Sequence, residues 1–108
     1  MSDIIEGSTN VYADLGFPDA EEMLVKAHLA TAIGDIIAAR KLTQQRAAEI
    51  LGMTQPKLSQ LLNGRFRGIS EAKMMECLTR LGRDVKIIVG QDRPRRRTPG
   101  RVSVLREA

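Results

Sequence analysis

Between Asp19 and Leu81 apolar residues recur every three or four positions, the spacing that gathers them on one face of an α-helix. Met23, Ala27, Ala30, Ile33 and Ile37 form the first such stripe. Phe17-Pro18-Asp19 opens it, Asp19 and Glu22 have the capping-box spacing, and it ends near Arg40-Lys41, where positive charge suits the helix dipole. Thr43 then caps a short second helix with Ala47, Ile50 and Leu51 inward, and Gly52 is placed to close it. Thr54 caps a third, in which Pro56 is tolerated because first-turn N–H groups have no helical acceptor. Leu58, Leu61 and Leu62 are its inner stripe, and Asn63-Gly64 its end. Ser70 caps a fourth helix, with Ile69 and Met74 spaced as a hydrophobic staple, Met74, Leu78 and Leu81 inward, and Gly82 at its close.

The period then changes from helical to two. Val85, Ile87 and Val89 alternate with Lys86 and Ile88, which predicts a strand. Gln91 to Gly100, rich in Arg and Pro, predicts a flexible connection, and Val102 and Val104 a second, weaker strand. There is no internal repeat. The expected chain is mainly α: a compact helix-turn-helix domain of about four to five helices over 19–90, with a C-terminal β-strand. An acidic extension (1–18) precedes it and a basic Arg/Pro-rich tail (91–108) follows. The predicted strand finds no partner inside such a domain, and an unpaired apolar edge invites association. Pairing with the same strand of a second copy removes that edge and supplies two-fold symmetry, so Val85, Ile87 and Val89 are the expected dimer strand.

Composition narrows the chemistry. With 108 residues, 43% of them apolar and 28% charged, the chain is an ordinary single globular domain. One Cys and one His exclude an internal disulfide and a Cys/His zinc site, so no metal or cofactor is expected. Cys77 and the methionines read as core filler, with Met53 at the junction of helices two and three. His28 stands without a catalytic motif, and an enzyme is not expected. No apolar run approaches the roughly 18 residues of a membrane span. The first 25 residues hold no Lys or Arg, so a signal peptide is not expected, and the expected compartment is the cytoplasm.

The net charge of +4 conceals a strong asymmetry. Residues 1–25 carry six acids and no base; residues 26–90 carry eleven bases and five acids; residues 91–108 carry six arginines against Asp92 and Glu107. In the acidic head, Val11, Tyr12, Leu15 and Phe17 either pack on the domain or meet a basic partner. The cluster Arg93, Arg95, Arg96 and Arg97 fits a solvated tail, a phosphate clamp or a minor-groove arm. Aromatic residues make up only 3%, too few for the stacking platforms that hold single strands, so a nucleic-acid partner would be duplex DNA.

Residues 43–63 carry the candidate chemistry: a short helix, a glycine turn and a second short helix, the arrangement that lays its second helix in the major groove. Around the third helix Leu58, Leu61 and Leu62 share one sector. Pro56, Ser59, Gln60 and Asn63 lie opposite, with Gln55 and Lys57 at the borders. Amide, hydroxyl and ammonium groups hydrogen-bond base edges, so Gln55, Pro56, Lys57, Ser59 and Gln60 are the expected base-reading residues. Thr43, Arg46, Arg65 and Arg67 are expected at the backbone, with Arg40 and Lys41 nearby and Glu49 the only acid between 40 and 67. Two short helices joined at a glycine also occur in proteins that never touch DNA. A protein-interaction module therefore stands as the reading from another class.

The run Leu42-Thr-Gln-Gln-Arg-Ala-Ala-Glu-Ile-Leu-Gly-Met-Thr-Gln-Pro-Lys-Leu-Ser-Gln-Leu-Leu-Asn-Gly64 resembles the core of the Xre-type, phage-repressor-like helix-turn-helix family, over about residues 23–82. The resemblance implies that Gln44, opening helix two, braces Gln55, opening helix three, and that Asn63 contacts a phosphate. Pro56 departs from the small polar residue usual at its position. Asn10–Leu24 and Gly82–Val89 resemble a subgroup that includes HigA-type antitoxins. That implies a homodimeric repressor on a palindromic operator, and as an alternative an antitoxin that sequesters a RelE/HigB-like ribonuclease toxin and autoregulates its operon.

Overall fold

Each of the three helix starts marked by a Thr or Ser forms as a side-chain cap, and these caps set the architecture. The computed structural model describes residues 4–6, 15, 16, 18–95 and 97–107. Helix α1 (Ala20–Ala39) is followed by α2 (Gln44–Leu51), α3 (Gln55–Leu62) and α4 (Glu71–Arg80). The hydroxyls of Thr43, Thr54 and Ser70 accept from the backbone N–H of Arg46, Lys57 and Lys73 respectively, at 3.1, 3.3 and 3.1 Å. Each satisfies one of the donors that a helix N-terminus leaves unpaired. Two three-residue strands, β1 (Ile4–Glu6) and β2 (Leu105–Glu107), pair antiparallel with Ile5 opposite Arg106.

All four helices end through a left-handed residue whose successor donates back five positions. Leu42 N–H reaches Ile37 O, Met53 reaches Ala48 O, Arg65 reaches Gln60 O and Arg83 reaches Leu78 O. Gly52, Gly64 and Gly82 supply the positive φ at three of the ends, and Lys41 (φ 55°) supplies it at the first. Gly52 is doubly constrained: its φ is +66°, and a Cβ there would stand 2.5 Å from Arg80 Nη1. Gly64 has φ +83° with open space around it. Gly64→Ala is expected to cost about 1–2 kcal/mol from the backbone alone, and Gly52→Ala somewhat more, because the Arg80 arm must swing aside. Urea midpoints at unchanged denaturant dependence measure both; equal costs would show that Arg80 yields freely.

The core lies where the four helices meet. Ile33 of α1, Leu51 of α2, Leu58 and Leu61 of α3, and Met74 and Cys77 of α4 are fully buried, and Phe66 and Ile69 fix the connection between α3 and α4. The inward stripes match the expected ones with three shifts: Ala27 is only half-buried in α1, Ala48 rather than Ile50 is buried in α2, and Leu62 is half-exposed. No helix among the described residues is long and apolar enough to cross a membrane.

Three expectations need correction. The capping box at Asp19 does not form: Asp19 makes no side-chain cap, and its carboxylate pairs instead with the Arg67 guanidinium. A full charge outcompetes a neutral N–H for that oxygen. Glu22 turns to Lys26, one helical turn on, at 3.5 Å. The strand expected over Val85–Val89 is absent from the described chain, because a strand needs a hydrogen-bonded neighbour and none is there; Val85 is half-buried against the core, while Ile87, Ile88 and Val89 are exposed. The C-terminal strand is instead Leu105–Glu107, just past the weaker strand expected at Val102 and Val104. Val11, Tyr12, Phe17 and Arg96 lie outside the described residues, as does most of the acidic head.

Candidate nucleic-acid interface

Helices α2 and α3 begin alike, with a threonine cap followed by an exposed glutamine: Thr43 before Gln44, Thr54 before Gln55. Only the tight turn at Gly52 and Met53 separates the two helices, and Leu51 and Leu58, both fully buried, clamp them together. Burial of Leu58 and Leu61 fixes the rotation of α3, and with it what the helix shows to solvent. Gln55, Pro56, Lys57 and Gln60 are exposed, and Ser59 is half-buried. No carboxylate lies on α3. The expected base-reading residues thus share one outward face.

The expected backbone residues divide into two groups. Gln44, Arg65 and Asn63 are exposed, at the start of α2 and in the turn that ends α3. Among the described residues neither Lys57 nor Arg65 has an ion-pair partner, which leaves both cations open to a phosphate. Arg46, by contrast, pairs with Glu49 at 3.0 Å, and Arg67 pairs with Asp19. The Asn63 amide folds onto its own helix, where Nδ2 donates to Ser59 O at 2.7 Å and to Ser59 Oγ at 3.2 Å. Thr43 acts through its cap, which shapes the N-terminus of α2. No hydrogen bond joins the side chains of Gln44 and Gln55 among the described residues.

One residue that matters here is not among the expected ones. Lys26 of α1 is only 4% exposed, and its ammonium donates to Arg67 O at 2.7 Å with Glu22 and Glu71 at 3.5 and 3.6 Å. It ties the connection after α3 to α1. Its signal in the sequence is a charge inside an apolar stripe: Met23, Lys26, Ala30, Ile33 and Ile37 follow helical spacing better than the series through Ala27. Cys77 is inert by the same logic of burial, which pushes its thiol pKa up against the opposing pull of Lys73.

A family model described as a helix-turn-helix domain matches residues 11–90. The chain is also similar to a solved structure described as "Putative XRE Family Transcriptional Regulator". The two are 41% identical with a TM-score of 0.72, over 81% of this chain and 97% of that one. No curated protein matches.

Proposed function

This chain belongs to the XRE-type helix-turn-helix family, and from that premise we propose that it is a sequence-specific transcriptional regulator of duplex DNA, a homodimeric repressor acting on a palindromic operator in the cytoplasm. Membership makes it a DNA-binding regulator. The observation that carries the finer reading is the outward face of α3. Its exposed amides and ammonium are free of carboxylates, seated by buried leucines and flanked by Arg65, which has no ion-pair partner among the described residues. Gln55 stands at the helix start, where side chains reach base edges, and an amide bonds adenine N6 and N7 in bidentate fashion. Lys57 and Arg65 act through phosphate charge. Asn63 and Gln44 must turn from their present hydrogen bonds or positions to take the roles the family suggests.

The test compares Gln55→Ala with Arg65→Ala on an operator selected from random duplexes and on a scrambled duplex. Gln55→Ala is expected to cost about 1–3 kcal/mol at the operator, to relax preference at one base position per half-site and to leave scrambled DNA almost unaffected. Arg65→Ala should weaken both duplexes alike and lower the salt slope by about one unit per protomer. Equal losses on both duplexes for Gln55→Ala would remove base reading from that residue. A second reading rests on the charge of the first 25 residues, six acids and no base. Such a segment suits a basic partner, and we propose a ribonuclease toxin encoded beside this chain as that partner. Co-expression of the two neighbouring genes should then yield a stable complex that dissociates when residues 1–16 are deleted.

A further inference from the structure

We infer that the arginine-rich loop from Arg93 to Arg101 is a second DNA contact, a clamp on backbone phosphates beside the turn that ends α3. The inference rests on the duplex-DNA reading above and adds to it a surface outside the helix-turn-helix. Arg93, Arg95, Arg97 and Arg101 are exposed, and among the described residues none of them is in an ion pair. The only acid in residues 91–101 is Asp92. Charge of one sign, left unpaired and spread over a surface segment, fits a polyanion.

A run of arginines alone is often just a solvated tail, but this one is fastened at both ends. Val85 before it and Val104 after it are half-buried against the core. Arg106, just beyond, donates to Asp35 of α1 at 3.0 Å, and β2 pairs with β1. The segment is therefore joined to the body on both sides, and Pro94 and Pro99 restrict it further. Fastening keeps its charges near whatever the body binds, which lowers the entropy lost when they engage.

The place of fastening is the informative part. Asp35 lines an open groove of about 410 Å³ between α1 and α3, together with Thr31, Leu62 and Gly64. Gly64 adjoins the exposed Arg65. Arg106, just past the loop, is thus joined to a residue of the groove that Gly64, the neighbour of Arg65, also lines. Contacts to the phosphate backbone come largely from Arg and Lys and need no fit of the chain into a groove. Backbone phosphates are the fitting target.

The test uses the full chain with Arg95→Gln, Arg97→Gln and Arg101→Gln combined, titrated on operator and scrambled duplexes at several salt concentrations beside wild type. All three side chains are exposed, so the thermal transition should not move. We expect affinity for both duplexes to fall by the same factor, on the order of tenfold or more at low salt. The slope of log K against log salt should fall by about 0.9 per lost contact, up to nearly three units per protomer. The ratio of operator to scrambled affinity should stay as in wild type. Unchanged slopes would overturn the clamp, as would a loss that appears only with A·T-rich flanks, the mark of a minor-groove arm. Failure of wild type to bind any duplex would instead sink the DNA reading itself.

Discussion

Leu58→Ala should lower the stability of the domain by about 2–5 kcal/mol. Leu58 has no exposed surface, and it sits among Ile33, Leu51, Leu61 and Met74, all at 1% exposure or less. Truncation would leave a void inside this close-packed cluster, whose neighbours can collapse into it only in part. The consequence reaches function because α3 has only eight residues. A helix that short is not stable by itself in water, so its geometry is borrowed from the core. The thermal midpoint of Leu58→Ala should fall by ten degrees or more, given about 4–8 °C per kcal/mol for a domain of this size. Where the variant is still folded, its preference for operator over scrambled DNA should persist, since no outward side chain has changed. A stable variant that had lost only its preference would mean that Leu58 belongs to the reading face, contrary to its burial.

Much of this architecture was legible from spacing because local signals and packing agree along residues 43–82. Thr43, Thr54 and Ser70 each precede an apolar stripe, glycines follow three of the stripes, and the caps and left-handed ends form accordingly. Agreement fails where a distant group intervenes. Asp19 has the right spacing to cap α1, yet Arg67, 48 residues away, takes its carboxylate. Lys26 can lie in a core stripe because Arg67 O and Glu71, from beyond α3, join Glu22 of its own helix at its ammonium, and no local pattern announces the two distant partners. The pairing of β1 with β2 joins the two ends of the chain, so its signal was spread over a separation of about a hundred residues. The outward face of α3 was legible for the same reason that α3 was: Leu58 and Leu61 are inside and leave the polar residues outside. Which arginines are free was not legible, since Arg46, Arg65 and Arg67 look alike in sequence and only Arg65 lacks an ion-pair partner among the described residues.

Ile87→Asp should convert the proposed dimer to a monomer and weaken operator binding by about a hundredfold or more. In one copy Ile87, Ile88 and Val89 are 78%, 84% and 90% exposed, and Val102 is 73% exposed. Four large apolar side chains left in water favour association, at roughly 1.5–3 kcal/mol for each one fully covered. The backbone of 85–89 also has no ladder partner among the described residues. Antiparallel pairing with the same stretch of a second copy meets both needs. An axis through the middle of that stretch sets residue 87 opposite residue 87, so two aspartates would face each other across it, where like charges repel and lose solvation. Because Ile87 is exposed in the single copy, the substitution should leave the helical domain folded, with an unchanged thermal transition at low concentration. Operator affinity should fall steeply because two linked half-sites bind with an effective concentration that two separate protomers lack. Scrambled DNA, held by phosphate charge, should lose less. Light scattering decides the matter: a mass of two chains for Ile87→Asp would place the dimer contact elsewhere, on the groove beside Leu62 or on the ribbon of β1 and β2.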